Sequence, residues 1–147
     1  MKCVSPVFVQ DKAAGGVMNV PCGRCIACRL NYARMWSIRL MHECKMHEES
    51  IFLTLTYSSD SLPKNNTLVK RDLQLFLKRL RKNLAPRKIR FFASGEYGEK
   101  GGRPHYHLIL FSVGERDRRI IEHSWPFGII HLGAVTHDSC NYCAYIS

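Results

Sequence analysis

An amphipathic segment over residues 70–82 constrains the fold more than any other part of the chain. Its apolar side chains recur at the i, i+3, i+4 and i+7 spacing of a helix with one apolar face, at Leu73, Phe76, Leu77 and Leu80. Because such a stripe has to be buried against another layer, the segment predicts a helix packed on a sheet or on other helices. The remaining surface of this helix is basic, with Lys70, Arg71, Lys78, Arg79, Arg81 and Lys82.

Strand-like segments lie on both sides of this helix. Runs rich in β-branched and aromatic residues predict strands over residues 50–57, 88–96, 105–113 and 128–132. Further helices are predicted over residues 29–49, over residues 115–123 and from about Asp138 onward. The first 28 residues, punctuated by Gly and Cys, read as loop. From residue 50 the order β-α-β-β-α-β-α predicts an α+β fold, a mainly antiparallel sheet with helices packed on it.

Length and charge narrow the functional class. The 147 residues suit one domain, and no apolar run approaches the roughly 20 residues that cross a bilayer. A start without a signal-peptide core predicts a cytoplasmic protein with no membrane partner. The net charge of +10 suits a polyanionic partner such as nucleic acid. For the basic helix, a solvated face and a phosphate-binding face remain equally good interpretations.

A histidine pair carries the clearest chemistry. His105 and His107 are two residues apart in a predicted strand, so their side chains share one face of the sheet. The glycines between residues 97 and 104 favour a hairpin that brings the Glu96 carboxylate beside them. Two imidazoles and one carboxylate can hold a divalent ion and leave open positions on it, which a catalytic ion requires.

The cysteines predict a second metal site. Cys22, Cys25 and Cys28 are spaced C-x₂-C-x₂-C, and Cys3 can complete a set of four thiolates. Structural zinc is the preferred interpretation, because the first 28 residues have little to bury. The same spacing begins some iron–sulfur motifs, and free thiols are the third alternative.

Several blocks together resemble a known family. They are VPCGRCIACR at 20–29, FLTLTY at 52–57, DLQLFLKRLR at 72–81, GEYG at 95–98, RPHYHLILF at 103–111 and DSCNY at 138–142. In this order they resemble the HUH endonucleases, named for histidine-hydrophobe-histidine. Within that family the resemblance is to the replication initiators of small single-stranded DNA phages, the microviruses of the gokushovirus type.

The resemblance implies a five-stranded antiparallel sheet of RRM-like topology and a specific reaction. Mg²⁺ or Mn²⁺ held by His105, His107 and Glu96 would polarise a phosphodiester in single-stranded DNA at the replication origin. A tyrosine on a nearby helix would attack phosphorus, leaving a 5′-phosphotyrosine and a free 3′-hydroxyl, and could later rejoin the strand. The hydroxyl would serve the host replication machinery, in the cytoplasm of a bacterium.

The nucleophile has two candidates. Aligned without gaps on the family pattern Tyr-x-x-x-Tyr, Tyr142 matches the first tyrosine and Ile146 falls on the second. Tyr145 matches only after a one-residue deletion, yet an i, i+3 pair shares a helix face. We prefer Tyr142, with Tyr145 as the alternative.

The domain organisation and the DNA contacts complete the predictions. Residues 1–50 are expected to form a Cys-rich segment and helix within the same unit as a nuclease core over residues 51–147, truncated at its C-terminus. A non-catalytic, zinc-stabilised module that binds single-stranded nucleic acid is the alternative function, and it would need no Glu, His and Tyr set. Predicted DNA contacts are Lys70, Arg71, Lys78, Arg81 and Arg103.

Overall fold

Ten helices and strands make up the fold. The structure, a computed structural model, describes residues 1–147. Three short 3-10 turns connect some of the elements, at Ser59–Ser61, Lys64–Asn66 and Glu115–Asp117. The elements in chain order are β1 (Val7–Asp11), β2 (Gly16–Val20), α1 (Ile26–Cys44), β3 (Ser50–Thr56), α2 (Lys70–Leu84), β4 (Arg90–Tyr97), β5 (Pro104–Phe111), α3 (Arg118–Ser124), β6 (Ile130–Ala134) and α4 (His137–Ile146).

The main sheet has four antiparallel strands in the order β4-β5-β3-β6. The α+β class is therefore confirmed, and the implied single five-stranded sheet is wrong. The two remaining strands, β1 and β2, pair only with each other and form a separate hairpin. This hairpin also corrects the prediction that the first 28 residues are loop. Its residues are almost all exposed, because neither face of the hairpin packs on a core.

One face of the sheet packs on α2 and α3. The α2 side chains Phe76, Leu77 and Leu80 join the even-numbered residues of β5 in the larger core cluster. Below the sheet, the Tyr106 hydroxyl accepts from the backbone N–H of Val69 at 2.8 Å and donates to its carbonyl at 2.9 Å. These bonds fix the start of α2 against the middle of β5.

The opposite face packs on α1 and α4. Here Ile109 and Phe111 of β5 contact Ala33 and Leu40 of α1 and the buried cysteines of α4. Since side chains alternate along a strand, His105 and His107 lie on this second face with Ile109. The sequence-based boundary at residue 50 falls on the first residue of β3, and α1 packs across it on α4.

Candidate metal and tyrosine site

The β4–β5 hairpin places a carboxylate opposite a histidine. Glu96 pairs in register with His105, and Ser94 pairs with His107. The connection turns through Gly101 and Gly102, both with positive φ (81° and 60°), a conformation that glycine adopts without steric cost. Glycine at these positions therefore sets the register that brings the three side chains together.

The three side chains converge on one carboxylate oxygen. Glu96 Oε2 lies 2.9 Å from His105 Nε2 and 3.1 Å from His107 Nε2. All the ligand atoms of this set lie within 4.8 Å of one another. Neighbouring ligands of an octahedral ion with bonds of about 2.1 Å are about 3.0 Å apart, so the spacing fits Mg²⁺ or Mn²⁺.

Hydrogen bonds behind the histidines orient the rings. His105 Nδ1 donates to the Arg103 carbonyl at 3.1 Å, since a carbonyl can only accept. In the neutral ring, Nε2 then carries a lone pair aimed at a carboxylate, an arrangement that is favourable when a cation lies between them. His107 Nδ1 contacts the Thr54 hydroxyl at 3.0 Å, and its ring stacks on Phe52 with centroids 5.6 Å apart.

Tyr142 reaches the same oxygen from α4. Its hydroxyl donates to Glu96 Oε2 at 2.5 Å, and its ring meets His107 edge-on at 5.2 Å. The helix start is fixed by a capping box in which Thr136 and Ser139 bond each other's backbone N–H. Because 43% of the Tyr142 side chain stays exposed, the hydroxyl is open to a substrate.

The electrostatics of the site follow from these contacts. Burial raises the pKa of Glu96, but the hydrogen bonds from the tyrosine and the two histidines outweigh it and the net pKa is lowered. Burial and then the charge of His105 lower the pKa of His107, which favours the neutral ring that binds metals. Burial and the bond to Glu96 raise the pKa of Tyr142 to about 12.

Tyr145 lies apart from this set. Its ring contacts the Arg29 guanidinium of α1, 5.4 Å from the ring centroid, and none of its hydrogen bonds reaches Glu96 or the histidines. It lines a cleft of α1 and α4 together with Tyr32 and Met35. The two tyrosines therefore have different neighbours, although the i, i+3 spacing suggested one shared face.

The basic helix lies across the sheet from the histidines. Lys70, Arg71, Lys78 and Arg81 are exposed on α2, whose apolar side packs on the face opposite His105 and His107. The Arg81 guanidinium rests on the Phe91 ring, 5.2 Å from its centroid. Arg103 is the one predicted DNA contact near the histidines, and its guanidinium donates to the Tyr57 carbonyl at 2.8 Å.

Two contributors to the site were missed from the sequence. Thr54 and Phe52 lie on β3 beside His107, at alternate positions of one strand. The period-two pattern of residues 50–57 places them on one face, but only the pairing of β3 with β5 shows that this face is the one with the histidines. The four cysteines are also brought together, with their sulfur atoms within 4.8 Å of one another.

Comparison with known proteins agrees with the sequence blocks. A family model for the replication-associated protein ORF2 matches residues 50–147. The replication-associated protein VP4 of Bdellovibrio phage phiMH2K is 34% identical over an alignment that covers 98% of this chain and 56% of that protein. The replication-associated protein ORF2 of Spiroplasma virus 4 is 33% identical, with 86% and 47% covered. None of the solved structures is a significant match.

The chain spans about half the length of these curated relatives. None of its helices is both long and apolar enough to cross a membrane. The match to the family model covers all of the sheet and the helix that carries Tyr142. The chain belongs to the family of the phage replication-associated protein ORF2, as a replication initiator of the microvirus type.

Proposed function

We propose that this chain is a metal-dependent HUH endonuclease that nicks single-stranded DNA at a replication origin through Tyr142. The observation that carries the proposal is the convergence of two histidine nitrogens and one tyrosine hydroxyl on a single carboxylate oxygen. A binding module has no need of this set.

Metal ligation falls to the histidines and the carboxylate. His105, His107 and Glu96 would hold Mg²⁺ or Mn²⁺, which supplies charge to stabilise the phosphate oxygens as the bond to phosphorus changes. The Arg103 carbonyl and the Thr54 hydroxyl keep the two rings turned toward that position. These residues form a rigid support, because every one of them lies on or next to paired strands.

The tyrosine supplies the nucleophile. Its oxygen bonds to phosphorus as the bond from phosphorus to the 3′-oxygen breaks, giving a 5′-phosphotyrosine and a free 3′-hydroxyl. The phenolic proton leaves along the hydrogen bond to Glu96, and the departing 3′-oxygen takes a proton from solvent. The same atoms run in reverse rejoin the strand.

The products fit a replication initiator. A free 3′-hydroxyl is the end that a DNA polymerase extends, so the proposed partner is the replication machinery of the host. The proposed location is therefore the cytoplasm of the host cell. The covalent bond keeps the 5′ end available for rejoining after a round of synthesis.

A covalent-adduct assay with a matched pair of variants tests the proposal. The protein is incubated with Mn²⁺ and labelled single-stranded oligonucleotides tiled across the genome that encodes it. Tyr142→Phe removes one hydroxyl and should abolish the adduct, whereas Tyr145→Phe, three residues away on the same helix, should retain initial cleavage and impair at most a second transfer. Mass spectrometry of the wild-type adduct identifies the attachment point.

The outcomes separate the alternatives. An adduct on Tyr145 would make the gapless assignment of Tyr142 wrong. DNA binding of normal strength without any adduct from the wild-type chain would favour the non-catalytic binding module.

A further inference from the structure

Four cysteine sulfurs gather beside the N-terminal hairpin. The sulfur atoms of Cys3, Cys22, Cys25 and Cys28 all lie within 4.8 Å of one another, and none is in a disulfide. The Cys3 and Cys25 sulfurs are 3.8 Å apart. A tetrahedral ion with metal–sulfur bonds of about 2.3 Å holds its ligands about 3.8 Å apart, whereas a disulfide needs about 2.05 Å.

Backbone N–H groups point at these sulfurs. Cys22 donates to the Cys3 sulfur at 3.3 Å, and both Arg24 and Cys25 donate to the Cys22 sulfur, at 3.5 and 3.4 Å. Gly23 turns the chain between them with a φ of 72°. Donors arranged in this way stabilise the negative charge of a thiolate, which is the form that binds a metal.

The hairpin next to the sulfurs has almost nothing else to hold it. Phe8 is 72% exposed and Val17 is 70% exposed, and their strands pair only with each other. An isolated two-stranded hairpin is at best marginally stable in water. A cross-link at its base would supply the stability that a core supplies elsewhere.

The positions of the cysteines suit such a cross-link. Cys3 precedes β1 and Cys22 follows β2, so the pair closes the open end of the hairpin. Cys25 is the N-cap residue of α1, and Cys28 is buried in its first turn. We propose that the four cysteines bind one zinc ion that joins the hairpin to the start of α1.

The ligand geometry favours a single ion over an iron–sulfur cluster. A cluster of several irons holds its thiolates around a larger body than one metal atom does, while these four sulfurs are already at the spacing of one tetrahedron. On binding, each thiol that becomes a thiolate releases its proton to solvent, and no oxidant or reductant takes part. Zinc has no redox chemistry, so the site is structural.

The zinc site has a consequence for the rest of the molecule. Helix α1 packs on α4 through Ala33 and Leu40, which contact the buried Cys140 and Cys143. Tyr142 lies on α4 between those two cysteines. Zinc therefore fixes the beginning of the helix that supports the tyrosine, without contacting the nicking site.

Metal analysis and proteolysis test the zinc site independently of nicking. Purified wild-type protein should contain about one zinc per chain. A Cys22→Ser/Cys25→Ser variant should lose it, and Cys44→Ser, which changes a cysteine outside the cluster, should keep it. Removing zinc with a chelator should expose residues 1–28 to protease while the sheet over residues 50–147 stays protected.

Spectroscopy gives a second, independent readout. Co²⁺ added to zinc-free wild-type protein should produce the intense visible bands of a tetrahedral thiolate site, and these bands should be absent from the double variant. Equal zinc in the double variant, or wild-type protein with neither zinc nor Co²⁺ bands, would overturn the proposal. Several irons with acid-labile sulfide per chain would replace zinc with a cluster and overturn it as well.

Discussion

Glu96 Oε2 is the atom on which the candidate site is centred. It accepts from Tyr142 at 2.5 Å while two imidazole nitrogens lie within 3.1 Å of it. The directions of those nitrogens depend on residues behind them, which bond the far side of each ring. The proposed metal affinity should therefore respond to residues that never touch the ion.

Thr54 provides the sharpest test of this dependence. Thr54→Val keeps the branched shape but removes the hydroxyl that contacts His107 Nδ1, so Mn²⁺ should bind about 10–100-fold more weakly. Thr56→Val is the matched control on the same strand and face, because its hydroxyl bonds the Ile129 carbonyl instead. Electron paramagnetic resonance of free Mn²⁺ measures both affinities. Equal affinities in the two variants would show that the threonine does not orient the ring.

The residue scale also shows what sequence could predict. His105, His107 and Glu96 could be grouped because a two-residue strand spacing and a glycine-rich turn are local signals. The contribution of Thr54 depends on β3 pairing with β5, residues that are 53 positions apart at the closest contact with His107. Pairing over that distance is set by the whole core and has no signature in a short segment.

At the scale of elements, the sheet separates α2 from the proposed nicking site. The apolar side of α2 is buried on one face, and the histidines and Tyr142 lie on the other. Its exposed cations can therefore bind phosphates only at a distance from the scissile bond. We expect this helix to add affinity that does not depend on sequence and to leave the position of cleavage unchanged.

Neutralising two exposed cations of α2 tests this expectation. Lys78→Gln/Arg81→Gln should weaken binding about equally for all single-stranded sequences and lower the slope of log affinity against log salt by about 1.4, or about 0.7 per lost contact. Lys45→Gln/Arg119→Gln removes the same charge from outside α2 and should change the slope less. Fluorescence anisotropy across a salt series gives the slopes. Identical slopes for the two double variants would reduce α2 to a solvated basic face.

Helix α2 and the hairpin β1–β2 show where element prediction succeeds and fails. The α2 stripe is buried as its spacing predicts, at Phe76, Leu77 and Leu80. The strands β1 and β2 contain valines at Val7, Val9 and Val17, yet their exposure hides the usual contrast between a buried and a solvated face. The same strands cannot extend the sheet, so the fifth strand implied by the resemblance is missing from it.

At the scale of the whole molecule, the nicking site exists only in the folded chain. Glu96 and Tyr142 are 46 residues apart in sequence and come from β4 and α4. The two histidines come from β5, and Thr54 comes from β3. Because the unfolded chain cannot hold these groups together, an ion that binds them favours the folded state.

The last prediction follows from this linkage. Mn²⁺ at about 100 times its Kd should stabilise the zinc-loaded protein by about 2.7 kcal/mol, a rise of about 5–10 °C in Tm for a chain of this size. His105→Ala/His107→Ala should abolish both the rise and the nicking. His123→Ala, which changes an exposed histidine on α3, should preserve both. Differential scanning calorimetry measures the shift.

Acid should weaken this stabilisation, because protons compete with the ion for the histidine nitrogens. The rise in Tm at a fixed Mn²⁺ concentration should therefore shrink between about pH 7.5 and about pH 5.5. Cys22→Ser/Cys25→Ser should keep a Mn²⁺-dependent rise, since thiolates prefer softer ions than Mn²⁺. An undiminished rise in the His105→Ala/His107→Ala variant would place the Mn²⁺ elsewhere, and the histidine pair would no longer be the metal site.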